Sequence, residues 1–196
     1  GQILALALFA FATSITPGPN NAMVIASGAN FGFRATVPHL IGIDLGFAFM
    51  IIAVGAGLGG LFVVFPLLHT ALKYAGAAYL LHLAWRIAGA GAPKPGGAVG
   101  QPMTCMQAAL FQWLNPKGWM SAIGAVATYT PPEPFAVNLI VVTAVVALVM
   151  APCIALWAAA GMALRSALDK PLHLRVFNVA MSILLVASLF PVFFNG

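Results

Sequence analysis

The sequence predicts an all-α integral membrane protein whose six transmembrane helices form an inverted 3+3 repeat. Of its 196 residues, 62% are hydrophobic and only 6% are charged, and the mean hydropathy is +1.03. Soluble chains carry roughly 25% charged residues, so this chain lacks the side chains that would cover a water-facing surface. Six apolar stretches follow one another, and prolines interrupt the first and the fourth.

Each stretch is long enough to cross a bilayer, which takes roughly 20 apolar residues. The predicted spans are residues 3–30, 37–64, 67–88, 103–128, 135–164 and 176–194. Spans 1 and 4 are broken at Pro17–Pro19 and at Pro116. A loop rich in Gly, Ala and Pro, residues 89–102, separates two groups of three spans. We therefore predict one transmembrane domain over residues 1–196, with repeat halves of about 1–92 and 103–196.

The basic residues predict the orientation of the chain. Six of the eight Lys and Arg lie at or after the ends of spans 1, 3 and 5, whereas the turns after spans 2 and 4 hold no Lys or Arg. The positive-inside rule places the basic loops in the cytoplasm and both termini outside it. The residues concerned are Arg34, Arg86, Lys94, Arg165, Lys170 and Arg175. Although the net charge is +5, these residues form no patch, so we expect no nucleic-acid partner.

The two halves share one feature, a proline break in the first span of each half. Pro17 and Pro116 lie 99 residues apart, each in the first span of its half and each close to Gly and Asn. Because three spans per half is an odd number, the halves must be inverted in the membrane. Paired broken helices in an inverted repeat are typical of secondary transporters, whose site lies where the breaks meet. The alternative is that Pro and Gly interrupt membrane helices without a function, and the matching of the two breaks favours a transport site.

The first break supplies polar groups inside the membrane. Pro17 and Pro19 have no N–H group, and Gly18 permits unusual backbone dihedrals. The carbonyl groups before the break and the N–H groups after it should therefore line a cavity. The positive end of the helix that restarts there suits a carboxylate. Asn20 and Asn21 add hydrogen-bond donors and acceptors.

The second break repeats this arrangement with a charged residue. Asn115 precedes Pro116, and Lys117 follows it. A helix N-terminus beside an ammonium group should hold an anionic group well. The predicted substrate-binding residues are therefore Pro17, Gly18, Pro19, Asn20, Asn21, Asn115, Pro116 and Lys117.

Asp44 is the candidate for proton coupling. An ionisable side chain inside a membrane is energetically costly, so its presence there usually indicates a function. Its carboxyl group could load and release a proton or pair with a substrate ammonium group. The alternative is a structural ion pair with Lys73 or Lys117. The same repeat distance places Thr143 opposite Asp44. His39 lies near the cytoplasmic end of span 2, where we expect it to be interfacial.

Four motifs in order resemble the LysE/RhtB family of amino-acid exporters. They are "TPGPNN" in span 1, "FGFR" at residues 31–34, "GAAYLLHLAWRIA" at residues 76–88 and "LNPKGW" at residues 114–119. The resemblance covers nearly the whole chain. It implies proton-driven export of amino acids or their derivatives across a bacterial inner membrane. It carries functional positions over to Pro17, Gly18, Pro19, Asn20, Asn115, Pro116 and Lys117.

The local sequence around these motifs also resembles the branch of that family that exports cysteine and O-acetylserine. In that branch a small residue is expected where Asp44 stands, so the role of Asp44 rests on the physical argument rather than on the resemblance.

We therefore predict a secondary active transporter, not an enzyme, that exports small amino acids or derivatives by proton antiport without a cofactor or metal. One alternative is thiol–disulfide electron transfer, which would need Cys105 and Cys153 to meet. Another is a cation exporter, which one intramembrane Asp and the absence of a His or Cys cluster disfavour. Faces of small residues, such as Gly42 and Gly46, make a homodimer plausible.

Overall fold

The computed structural model describes residues 1–58, 60, 64–89, 101–168 and 170–190, and the described residues form helices and short connections. Lys94 and Phe194, to which the sequence assigns a cytoplasmic loop and the end of span 6, lie outside these ranges. The helices are α1 (Gln2–Ile15), α2 (Pro19–Phe31), α3 (Phe33–Ala53), α4 (Pro66–Gly89), α5 (Cys105–Phe111), α6 (Pro116–Tyr129), α7 (Phe135–Leu164) and α8 (Pro171–Ala187).

Three short segments extend these helices. A wider helical turn, Val54–Leu58, continues α3, and Gly57 within it has a φ of 108°, which favours glycine. The 3-10 turns Gln112–Leu114 and Arg165–Leu168 follow α5 and α7. The second break therefore begins at Gln112, earlier than the prolines and glycines of the sequence indicate.

Two helical stretches of the described chain are long and apolar enough to cross a membrane, Phe33–Leu58 and Phe135–Leu168. The pair α1 and α2 passes the same test when the two are taken together, and they meet at an angle of 58°. Helix α8 is a shorter apolar helix. It begins at Pro171 rather than near residue 176, because proline is favoured in the first turn of a helix, where its missing N–H group costs nothing.

The outer surface of the described helices is rich in large apolar side chains. Leu148 is 76% exposed and Trp85 is 74% exposed, and many further Leu, Ile, Val and Phe side chains face outward. Contiguous apolar surface of this extent is unfavourable in water and suits the hydrocarbon core of a bilayer. The chain is a helical transmembrane protein.

The centre of the bundle is built from α3 and α7. Their inward faces bury Ile43, Met50 and Val146, and α2 packs against both helices. A second cluster joins α4 to α8 and α5 through Leu80, Leu185 and Phe111. The two halves of the sequence are therefore interleaved: α2 from the first half has its most extensive contact with α7 from the second.

Close helix crossings depend on glycine. A Cβ atom on Gly28 would lie 2.2 Å from the carbonyl oxygen of Ala158, and one on Gly42 would lie 2.2 Å from that of Cys105. A Cβ atom on Gly46 would lie 2.6 Å from the Cα atom of Ala109. The face of α3 that carries Gly42 and Gly46, on which the sequence bases a homodimer, is therefore packed against α5 within the chain.

Candidate functional site

The break between α1 and α2 leaves backbone carbonyl groups without helical partners, and Asn21 binds two of them. Its Nδ2 donates to the carbonyl oxygens of Ser14 at 2.8 Å and Thr16 at 2.9 Å. Asn21 is buried. Unpaired carbonyl groups inside a membrane are costly, so these bonds make the break stable. The donor groups of Asn21 are thereby committed to the protein backbone.

Gly18 is important at the break because it has no side chain. Its φ of −172° and ψ of −177° describe extended backbone that any residue adopts, so the expectation of unusual dihedrals is wrong. A Cβ atom at this position would lie 2.9 Å from Cδ and 3.1 Å from Nζ of Lys117. Gly18 thus leaves the space in which the Lys117 side chain lies.

Lys117 connects the second break to the first. Its Nζ donates to the carbonyl oxygen of Thr16 at 2.7 Å, at the end of α1 where the helix dipole is negative. Asp44 Oδ1 has no hydrogen-bond partner in the described residues, so it accepts no bond from Lys117. An ammonium group has three donors, so the bond to Thr16 leaves the group able to bind an anion as well.

A pair of amide side chains forms a second connection between the breaks. Asn20 Nδ2 donates to Gln112 Oε1 at 2.8 Å, and Gln112 Nε2 donates to Asn20 Oδ1 at 3.2 Å. Gln112 is fully buried and also donates to the carbonyl oxygen of Ala108 at 2.9 Å. Sequence reasoning missed Gln112. Its signal is an uncharged polar residue in an apolar stretch, three positions before Asn115.

The two restarting helices share one geometry. Gly18 and Asn115 occupy the N-cap positions, and Pro19 and Pro116 are the first helical residues. Pro19, rather than Pro17, is therefore the counterpart of Pro116, and the pairing of Asp44 with Thr143 loses its basis. Gly18 has no side chain, and the side chain of Asn115 does not bond to its helix. The first N–H groups of α2 and α6, which follow Pro19 and Pro116, therefore have no capping side chain and can bind an anion.

Both helix starts face one cleft, whose cavity volume is about 50 Å³. Its polar wall combines hydroxyl, amide and ammonium groups, and its apolar wall comes from α3 and α7. The lining residues are Thr13, Ser14, Gly18, Pro19, Asn20, Asn21, Phe47, Gln112, Asn115, Lys117, Gly118, Ser121, Met150 and Ile154. Six of the predicted substrate-binding residues are in this set, and Pro17 and Pro116 are not. The Oδ1 atom of Asn115 is buried and has no hydrogen-bond partner in the described chain.

Asp44 is not part of the cleft wall. It is half-buried on α3, three residues before Phe47, which does line the cleft. Its Oδ1 atom is buried and has no hydrogen-bond partner within the described ranges. Thr143 donates to the carbonyl oxygen of Leu139 at 2.8 Å, so its hydroxyl donor is used within α7.

Two further predictions concern residues outside the cleft. His39 is only 1% exposed, so the expectation of an interfacial side chain is wrong: the packing of α3 turns this position inward. Cys105 on α5 and Cys153 on α7 are free thiols.

Known proteins resemble this chain along almost its full length. The family model described as "LysE type translocator" matches residues 11–193. Proteins named "Cysteine/O-acetylserine efflux protein" from Escherichia coli (strain K12) and Shigella sonnei (strain Ss046) are 29% identical to it. A protein of the same name from Escherichia coli O139:H28 (strain E24377A / ETEC) is 28% identical. Each alignment covers 93% of this chain and 92% of the relative.

No solved structure matches the chain. The family match includes both breaks, the cleft between them and the helices that form its walls. The chain belongs to the LysE type translocator family.

Proposed function

We propose that this protein is a secondary active transporter that exports small amino acids or their derivatives from the cytoplasm. The observation that carries the proposal is the meeting of two uncapped helix N-termini and Lys117 in one cleft. The names of the efflux relatives support the same class of substrate.

The cleft suits each part of an amino acid. The substrate carboxylate would bind the first amide groups of α2 and α6 and the remaining donors of Lys117. The substrate ammonium would donate to Asn115 Oδ1, the buried acceptor without a partner. The substrate side chain would lie against Phe47, Met150 and Ile154. Because these apolar residues and the polar wall enclose the same small space, compact substrates are favoured.

In the transport cycle, the two halves of the inverted repeat would move relative to each other. In this proposal the chain is one domain of six spans, residues 1–196, with halves of about 1–92 and 103–196. The cleft lies between the broken helices of the two halves, so rocking of one half against the other would expose it to each side in turn. The basic loops would lie in the cytoplasm and both termini outside a bacterial inner membrane.

Export should be visible directly in cells. Bacteria with and without this chain are fed dipeptides that cover the natural amino acids, and the free amino acids outside the cells are measured, together with O-acetylserine. We expect a selective, several-fold rise for one group of small amino acids, because the cleft discriminates by size. If the protein is present in the membrane and the concentration of no amino acid rises, the substrate class is wrong.

Proton antiport would depend on Asp44. The carboxyl group of Asp44 lies one turn from the cleft wall, and its buried Oδ1 has no hydrogen-bond partner in the described residues, so gain or loss of a proton can change the packing of α3. Substrate binding and proton binding would then exclude each other, so the carrier would leave the cytoplasm with substrate and return with a proton, which couples export to the proton gradient.

The Asp44→Asn variant tests this coupling in proteoliposomes. Asparagine has nearly the same shape as aspartate and does not titrate, so transport driven by an imposed pH gradient should fall to the rate without a gradient. Exchange of labelled for unlabelled substrate at equal pH should continue. Glu133→Gln is the matched control, because Glu133 is exposed in the turn before α7. Full pH-driven transport by Asp44→Asn would exclude Asp44 as the proton carrier.

A further inference from the structure

A second cavity lies at the end of the bundle that carries the basic residues. Its cavity volume is about 130 Å³, and it shares no lining residue with the cleft. Its walls come from α2, α3, α4 and the segment that precedes α5, and they are mainly apolar, with Met23, Leu83 and Met103 among them. The cavity therefore combines a mainly apolar wall with a small number of polar groups.

His39 lines this cavity and has no hydrogen-bond partner for its ring within the described residues. It is 1% exposed. The polar side chains of α2 that line the cavity are paired. Ser27 bonds to Thr36 at 2.8 Å. Asn30 donates to the carbonyl oxygen of Ala26 at 2.8 Å and to Asn178 at 3.1 Å.

An imidazole that is buried without partners is unusual, because buried polar side chains are nearly always hydrogen-bonded. It presents one donor and one acceptor in its neutral form and two donors in its protonated form. Since His39 lines a cavity rather than a packed interior, its missing partner is best explained as a ligand group.

Arg86 lines the same cavity and identifies the charge of that ligand. It lies in the last turn of α4 and is exposed, whereas His39 is buried. A guanidinium group at the mouth of a cavity binds carboxylates with two parallel hydrogen bonds. The guanidinium, the imidazole and the apolar lining together match a compact molecule with an apolar body and a carboxylate.

We propose that this cavity is a second small-molecule site, which binds the carboxylate of a compact apolar amino acid or carboxylic acid through Arg86 and His39. Its place at the basic end would make it a loading site for cytoplasmic substrate. That role rests on the proposed export function, whereas binding at the site does not.

Binding can be measured without transport. The purified protein, with ¹⁵N-labelled histidine, is placed in phosphatidylcholine nanodiscs and titrated with 4-methylpentanoate. We expect saturable binding in calorimetry and a shift of the His39 nitrogen signals at the same concentrations. The neutral isostere 4-methylpentanamide should bind at least about tenfold more weakly, since it lacks the charge that Arg86 recognises. Equal affinity for the acid and the amide would overturn the proposal.

Two variants locate the site. His39→Leu fills a similar volume without polar atoms, and Arg86→Gln removes the charge, and each should weaken binding at least about tenfold. Arg175→Gln is the matched control, because Arg175 is an exposed basic residue outside the cavity lining. If His39→Leu does not fold, His39→Gln supplies an amide donor and acceptor and should keep part of the affinity. Unchanged affinity in the folded His39 and Arg86 variants would refute the site.

Lipid is the other source of a negatively charged group with an apolar body. The titration is therefore repeated in nanodiscs that contain phosphatidylglycerol. Unchanged affinity for 4-methylpentanoate supports a soluble ligand. Loss of binding would assign the cavity to a lipid headgroup and overturn the proposal. Because efflux from cells is measured separately, either result leaves the test of the export function intact.

Discussion

Replacing Lys117 with methionine is expected to lower the initial rate of amino-acid efflux by about 100-fold at equal amounts of protein in the membrane. Methionine keeps much of the apolar stem but removes the ammonium group. That group donates to the Thr16 carbonyl oxygen at 2.7 Å and faces the cleft. Loss of one charge-assisted hydrogen bond to a substrate costs about 1.5–3 kcal/mol, and loss of the connection between the two breaks adds to that cost.

Arginine should not replace Lys117 fully, although it keeps the charge. The lysine side chain occupies the space above Gly18, where even a Cβ atom would approach Cδ to 2.9 Å. The guanidinium group is broader and planar, so it cannot keep both the Thr16 bond and the same position over the break. We expect Lys117→Arg to recover part of the efflux and to raise the substrate concentration needed for half-maximal rate.

Lys170→Met is the matched control for Lys117→Met. Lys170 is exposed in the connection before α8 and does not line the cleft, so the same change of charge should leave efflux close to that of the unaltered protein. If Lys117→Met transports normally, the cleft does not use an ammonium group to hold the substrate carboxylate. The proposed binding mode would then be wrong.

The breaks could be predicted from the sequence because proline acts locally. Pro19 and Pro116 each begin a helix, at the position where the missing N–H group costs nothing. The same local reasoning paired Pro17 with Pro116, whereas Pro19 begins α2, and it expected unusual dihedrals at Gly18, whose backbone is extended. Which proline starts the helix depends on where the preceding helix ends, and that end is fixed by bonds such as those of Asn21 to Ser14 and Thr16.

Long-range partners could not be predicted in the same way. Asn20 and Gln112 are 92 positions apart, and nothing in either neighbourhood indicates the other. His39 and Asp44 show a related limit: hydropathy places both on one helix, but only the packing of α3 decides which faces the interior. The inward face of α3 buries His39 and leaves Asp44 half-buried beside the cleft.

The close crossing of α2 and α7 gives the largest expected effect on stability. In Gly28→Ala the new Cβ atom would lie 2.2 Å from the carbonyl oxygen of Ala158. That atom belongs to the backbone, so no side-chain rotation relieves the clash and the helices must separate. We expect the free energy of unfolding in mixed micelles to fall by about 3 kcal/mol. The melting temperature should fall by roughly 10 °C.

Gly124→Ala is the matched control, because it makes the same chemical change in a helix of the same chain. Its Cβ atom would lie 3.5 Å from the ring of Phe9, which is an ordinary contact. Alanine is the better helix former by up to about 1 kcal/mol, so this variant should be at least as stable as the unaltered protein. Equal melting temperatures for the two variants would mean that α2 and α7 do not cross at Gly28.

A double variant separates the crossing itself from the intrinsic effect of alanine. Gly161 faces α2 from the other helix, and its Cβ atom would lie 2.1 Å from the carbonyl oxygen of Ile25. Once Gly28→Ala has pushed the helices apart, the second Cβ atom finds the space already opened. The two losses should therefore sum to more than the loss in the double variant, by about 1 kcal/mol or more. Strict additivity would show that the two glycines act at separate places.

Because Met150 and Ile154 of α7 form the apolar wall of the cleft, separation of α2 from α7 should also slow efflux in the Gly28→Ala protein that remains folded.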